Sequence, residues 1–197
     1  MAKEGHRGHH PMKKIALLHH PNSEEAKRLV SKLSSLIGQM GLSCAIIPIS
    51  EGLRPAEIAD DLYLLITLGG DGTVLRGVSL AVPKAIPILG INLGHLGFLT
   101  EIEPSEIDEL LPQILSGNFW LDERMMLKVE VTRNSLSLLT AHALNDAVIR
   151  RGTSGKALRL SLFLDDIPFT TYVTDGVILS TPTGSTGYCL AAGGPVV

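Results

Sequence analysis

An aspartate stands among three glycines at Gly69, Gly70, Asp71 and Gly72, directly behind the apolar run LYLLITL of Leu62–Leu68. A strand that ends in glycines and leads into a helix leaves backbone N–H groups free at the carboxyl edge of a parallel sheet, where such sheets bind ligands. The three glycines can take positive φ and keep side chains out of the way. A turn of this kind suits phosphate, yet Asp71 brings a negative charge to it. Two tasks fit a carboxylate beside phosphate: taking the proton from a hydroxyl that attacks a phosphoryl group, or helping to hold Mg²⁺ that bridges phosphates. The plainer reading is an Asp-Gly turn whose side chain bonds its own backbone.

Three further stretches carry chemistry-bearing side chains. In GINLGHLGFLTE, residues 90–101, the glycines again follow a strand, so both turns are expected at one sheet edge. Asn92 is placed to brace the neighbouring turn; Phe98 can wall a flat ring or lie in the core with Leu99, and the core is the expectation for Leu99. His95 has no metal-ligand spacing and reads as a surface residue. In LNDAVI, Asn145 and Asp146 interrupt a strand pattern with adjacent amide and carboxylate groups. Such a pair can grip the two hydroxyls of a ribose, or it can simply form an Asn-Asp turn. From Asp175, DGVILSTPTGSTGYCLAAGG runs from an apolar stretch at 177–179, read as buried, into Ser180, Thr181, Thr183, Gly184, Ser185 and Thr186. A short helix through Tyr188 and Leu190 is expected next, and its free N–H groups beside several hydroxyls suit a nucleotide.

Other chemistries lack their signatures. There is no G-x-x-x-x-G-K-S/T phosphate loop, no G-x-G-x-x-G and no G-x-S-x-G, and Cys189 falls inside the expected apolar helix. Cys/His metal spacing is absent, so no side chain is assigned to a metal. The net charge of -3 creates no broad field for nucleic acid. No apolar run approaches the roughly 18 residues of a membrane span. Two cysteines, Cys44 and Cys189, form no disulfide framework, and no secretory signal precedes the first strand; a reducing, cytoplasmic setting is expected.

The elements that must position these residues follow from periodicity. Residues 1–12, with His6, His9 and His10, read as a flexible tail. Residues 13–118 alternate buried strands with helices, which predicts an α/β domain with a parallel sheet and helices on both faces. Its first helix is capped by Asn22 or Ser23 and ended by Gly41, a second starts near Thr73, and a third contains Pro112 as a kink or a start. Residues 119–197 change to strand-like runs with turn candidates at VTRN and LDD, predicting a mainly antiparallel β domain. About four such strands leave an uncovered face and two edges, so this domain reads as truncated and incomplete.

Taken together, LGGDGTVLRG, GINLGHLGFLTE, LNDAVI and DGVILSTPTGSTGY resemble the NAD kinase family, in that family's order and over most of the chain. The GGDG turn alone also fits diacylglycerol, sphingosine or sugar kinases; the other blocks are more specific. The resemblance implies transfer of the γ-phosphoryl group of ATP to the 2′-hydroxyl of the adenosine ribose of NAD⁺, giving NADP⁺. It further implies a divalent cation such as Mg²⁺ and assembly into homodimers or tetramers. By motif match, Asp71 corresponds to the catalytic proton acceptor and Gly72 to a dinucleotide contact. Asn145 and Asp146 match the ribose pair, and Asp175 an acid near the nicotinamide end. Thr186, Gly187, Tyr188, Cys189, Leu190 and Ala191 match the segment that closes on the dinucleotide, and Lys156 a basic contact. The chain departs from the family at Val173, where many bacterial members carry arginine, and at Gly187, where alanine is common. Its rivals are a GGDG-type lipid or sugar kinase and a truncated, non-catalytic NAD-binding module.

Overall fold

The computed structural model describes residues 14–55, 58–94, 97–153 and 155–197. The tail expected over 1–12 and His95 lie outside them. The chain divides into two units, Met1–Leu121 and Asp122–Val197.

In the first unit four strands, β1 (Lys14–His19), β2 (Ser43–Pro48), β3 (Leu62–Leu68) and β4 (Ile88–Ile91), form a wholly parallel sheet in the order β2-β1-β3-β4. Side chains alternate across it as a strand requires. Ile15 and Leu17 point into one buried cluster with Leu64, Ile66 and Leu68, and Ala16 and Leu18 into another with Leu65. Helices α1 (Glu24–Gln39) and α3 (Ile107–Leu115) fill the first cluster with Leu33, Ile37, Ile107 and Leu111. Helix α2 (Asp71–Ala81) contributes Leu80 and Ala81 to the second. The sheet is therefore covered on both faces, as the apolar strands demand.

Local signals set the helix limits. Ser23 caps α1 by accepting the Ala26 N–H at 3.2 Å. At its other end Gly41, at φ 74°, donates to the Gly38 carbonyl while Leu42 donates to Ile37, the two bonds of a Schellman stop. Two expectations shift. Helix α2 begins at Asp71 rather than near Thr73, because the turn ends at Gly70 and places Asp71 on the first helical turn. Pro112 does not start α3; it lies inside, one turn along, where only the bond to residue 108 is forfeited.

The second unit is antiparallel throughout its described pairs. β5 (Leu127–Arg133) pairs with β6 (Leu136–Ala143), β8 (Leu158–Leu164) with β9 (Ile167–Thr174), and β7 (Asp146–Arg150) with β10 (Gly176–Ser180). Both hairpins close through two residues at positive φ, Asn134 with Ser135 and Asp165 with Asp166. That geometry matches the right-handed strand twist, and Asn and Asp tolerate it best. The stretch at 177–179 is not buried as expected: Val177 and Ile178 are half-covered and Leu179 is 46% exposed. Leu138, Phe163 and Phe169 are also exposed, so these strand pairs bury little apolar surface within the unit.

Candidate functional site

Candidate residues occur in each of the two units. In the first, β3 and β4 run side by side with Leu68 opposite Ile91, so the turns that follow them leave the same sheet edge. The Gly69 N–H donates to the Ile91 carbonyl at 3.0 Å and ties the two together. Of the three glycines in the first turn only Gly69 has positive φ. It also passes close to Thr73, whose hydroxyl leaves no room for a side chain there. Gly70 and Gly72 have ordinary backbone angles, and a Cβ at either would meet nothing within 4 Å. Neither conformation nor packing within the chain calls for glycine at these two positions. They keep the surface beside Asp71 bare.

Asp71 does not bond its own turn. Its Oδ2 accepts the Phe98 N–H and its Oδ1 the Leu99 N–H, both at 3.0 Å. The carboxylate at the start of α2 thus bridges to the loop after β4, and each oxygen retains acceptor capacity. Leu99 is buried as expected, while Phe98 is 75% exposed, its ring free to face a ligand. Asn92 does not brace the neighbouring turn: it is buried and its amide donates to the Gly94 carbonyl of its own loop at 3.1 Å.

In the second unit, Asn145 and Asp146 sit where the strand breaks between β6 and β7, and Asp146 opens β7 opposite Ser180. The break is held from β10. Thr181, 2% exposed, donates its hydroxyl to the carbonyls of Leu144 at 2.5 Å and Asn145 at 3.1 Å, and accepts the Gly184 N–H at 3.0 Å. Its own N–H donates to the Asn145 carbonyl at 2.9 Å. Gly184 packs so tightly that a Cβ there would lie 2.0 Å from that carbonyl oxygen. The Asn145 carbonyl is engaged, but its side-chain Oδ1 is buried with no hydrogen-bond partner among the described residues. An orphaned buried acceptor of this kind calls for a donor from elsewhere.

The remaining candidates divide. Asp175 and Tyr188 line one cavity of about 560 Å³ with Arg150, Arg151 and Thr174. Asp175 is paired there with Arg151, Nε to Oδ1 at 2.8 Å. Thr186 ends a 3₁₀ turn, Thr183–Thr186; Gly187 follows it, 3.8 Å from the Asn145 amide nitrogen as measured from a built Cβ. Cys189, Leu190 and Ala191 lie on α4 (Tyr188–Ala191) and are not among the cavity's lining residues. Lys156 is exposed in the loop between β7 and β8 and does not line it either. Val173 pairs with Arg159 across β8 and β9. Thr181 read in the sequence as one more ligand-facing hydroxyl; the structure turns it inward. Arg151 carried no signal beyond its charge. Among the described residues no group of three or more His, Cys, Asp or Glu side chains could cage a metal ion.

Residues 49–119 match the ATP-NAD kinase N-terminal domain and residues 144–197 the ATP-NAD kinase C-terminal domain. The chain belongs to the ATP-NAD kinase family. Kinase chemistry on NAD is the activity that goes with this membership. Family members named NAD kinase are 39% identical over 186 residues in Chloroflexus aggregans and 47% identical over 146 residues in Caldanaerobacter subterraneus subsp. tengcongensis. These matches cover 94% of the chain and 67% of the first relative, and 74% of the chain and 52% of the second. The chain thus spans between half and two thirds of these relatives' length. Among solved members, yeast NADH kinase complexed with NADH is 27% identical, with a TM-score of 0.74 over 96% of the chain and 63% of that protein. An NAD kinase from Archaeoglobus fulgidus in complex with ATP shares the fold, with a TM-score of 0.65 at 23% identity over 93% of the chain and 67% of that protein.

Proposed function

We propose that the chain transfers the γ-phosphoryl group of ATP to the 2′-hydroxyl of the adenosine ribose of NAD⁺, giving NADP⁺ and ADP, with Asp71 as proton acceptor. In this step the ribose oxygen forms a bond to the γ-phosphorus, the β–γ bridging P–O bond breaks, and the hydroxyl proton passes to the Asp71 carboxylate. A secondary hydroxyl is a poor nucleophile near neutral pH, so a carboxylate within hydrogen-bond reach assists as the new bond forms. Positioning and charge stabilisation supply most of the remaining acceleration.

The observation that carries the reading is the seat of Asp71. Two backbone N–H groups hold its two oxygens, the neighbouring glycines leave its approach bare, and lone pairs remain for a substrate hydroxyl. Asn145 and Asp146 take the ribose hydroxyls, and the buried Oδ1 of Asn145 supports this by lacking a donor among the described residues. Asp175 and Tyr188, with the rest of the segment from Thr186 to Ala191, serve the dinucleotide, and Lys156 adds a basic contact from its loop. A divalent cation, Mg²⁺ in this reading, is held chiefly by donor phosphates and water, since the described side chains offer no cage. It neutralises phosphate charge. Assembly into a homo-oligomer and a cytoplasmic setting complete the proposal; among the described residues no helix is long and apolar enough to cross a membrane.

The test couples NADP⁺ formation to an NADP⁺-specific dehydrogenase, with this chain and with one extended beyond Val197, and measures NAD⁺ binding by calorimetry. Binding and turnover in either form support the proposal. Binding with no NADP⁺ formed by both forms reduces the chain to a dinucleotide-binding module. Turnover of sphingosine, diacylglycerol or fructose 6-phosphate in preference to NAD⁺ would replace the substrate.

A further inference from the structure

We infer that Gly97 is a positioning residue for Asp71, its missing side chain being what lets the carboxylate rest on the Phe98 and Leu99 N–H groups. The inference depends on the reading of Asp71 as proton acceptor given above. A Cβ built on Gly97 would lie 2.1 Å from Asp71 Oδ1, 2.8 Å from its Cγ and 3.1 Å from its Oδ2. The three nearest atoms all belong to one carboxyl group. Real Cβ contacts do not occur under 3.0 Å, so one partner must move.

The carboxylate is the end of a side chain, whereas Gly97 is held by the backbone that carries Leu99 into the core. The carboxylate therefore gives way first. A methyl group at position 97 acts as a wedge against that carboxyl group before any other. Gly97 lacks positive φ, so an L side chain brings no backbone strain. Gly94, in the same loop, provides the contrast: a Cβ there meets nothing within 4 Å.

Moving a catalytic group by about 1 Å can cost on the order of 100-fold in rate. Gly97→Ala should therefore lower kcat by about that factor with the KM for NAD⁺ within about twofold, while Gly94→Ala leaves both unchanged. Because Gly97 acts through Asp71, the substitution should cost nothing further in an Asp71→Asn background, a non-additivity that independent residues do not show. A second readout needs no turnover. Hydrogen exchange at the Leu99 amide should accelerate in Gly97→Ala as in Asp71→Ala, which removes both acceptor oxygens, and stay slow in Gly94→Ala.

Full turnover in Gly97→Ala, the same loss in both backgrounds, or a Leu99 amide as protected as in the parent would each overturn the inference. If Gly97→Ala fails to fold, adding Asp71→Ala removes the clash and must restore folding; a double variant that stays unfolded also overturns it. Undiminished turnover in Asp71→Asn alone would instead sink the role given to Asp71, with the amide-exchange result still deciding whether Gly97 seats the carboxylate.

Discussion

Oδ1 of Asp71 accepts the backbone N–H of Leu99 at 3.0 Å, joining the first turn of α2 to the loop that follows β4. Asp71→Asn keeps the shape but turns one acceptor into a donor facing an N–H. The amide can satisfy either Phe98 or Leu99, not both. We expect turnover to fall by about 10²- to 10⁴-fold, the range of general-base catalysis, with NAD⁺ affinity by calorimetry little changed. Parallel losses in affinity and turnover would show that Asp71 serves binding alone.

Asn145 presents the opposite situation, a buried acceptor with no donor among the described residues. Removing it costs the ligand-free fold no side-chain hydrogen bond at that oxygen. Asn145→Ala should leave the melting temperature of the free chain unchanged or raised, and weaken NAD⁺ by about tenfold, the worth of one hydrogen bond of roughly 1.4 kcal/mol. Unweakened binding would take Asn145 out of the ribose contact.

Thr181 is the brace behind that pair, and its hydroxyl makes two donor contacts and one acceptor contact in a buried setting. Thr181→Val keeps the volume and strands the Gly184 N–H and the Leu144 carbonyl, while the Asn145 carbonyl keeps the backbone N–H of residue 181. Denaturant unfolding should show a loss of about 1–3 kcal/mol. Thr181→Ser, which retains the hydroxyl, should recover most of it. Equal stability for the valine and serine variants would contradict this account.

Asp61 hydrogen-bonds the Lys14 ammonium at 3.0 Å where β1 and β3 begin, and this contact holds its carboxyl below the ordinary aspartate range. A lowered folded value means stabilisation that is present above the unfolded pKa of about 3.9 and lost as pH falls through the folded value. The pair is exposed, so the effect is small and fades with salt. Following the Asp61 carboxyl by NMR should give a midpoint below about 3.9 that rises on Lys14→Gln. A midpoint indifferent to Lys14 would rule the ion pair out as its cause.

Much of this protein is written along the chain because the signals are local. The short apolar strand runs, the capped and glycine-stopped first helix and the turns at Asn134 and Asp165 each follow from side-chain spacing and backbone preference over a few residues. The glycine turn with its aspartate was legible for the same reason, as were the Asn145–Asp146 break and the hydroxyl run after β10. What the sequence left open was which groups satisfy one another across long separations. It offered Asp71 its own turn as a partner, whereas parallel pairing of β3 with β4 brings in Phe98 and Leu99. It offered Thr181 to a ligand, whereas antiparallel pairing of β7 with β10 folds that hydroxyl back onto residues 144 and 145. It gave Gly97 no more weight than Gly94, and only the position of a distant carboxylate separates them. Spacing along a chain fixes which way a side chain faces on its own element, but the partner it meets is set by strand register, and register exists only once the sheet has formed.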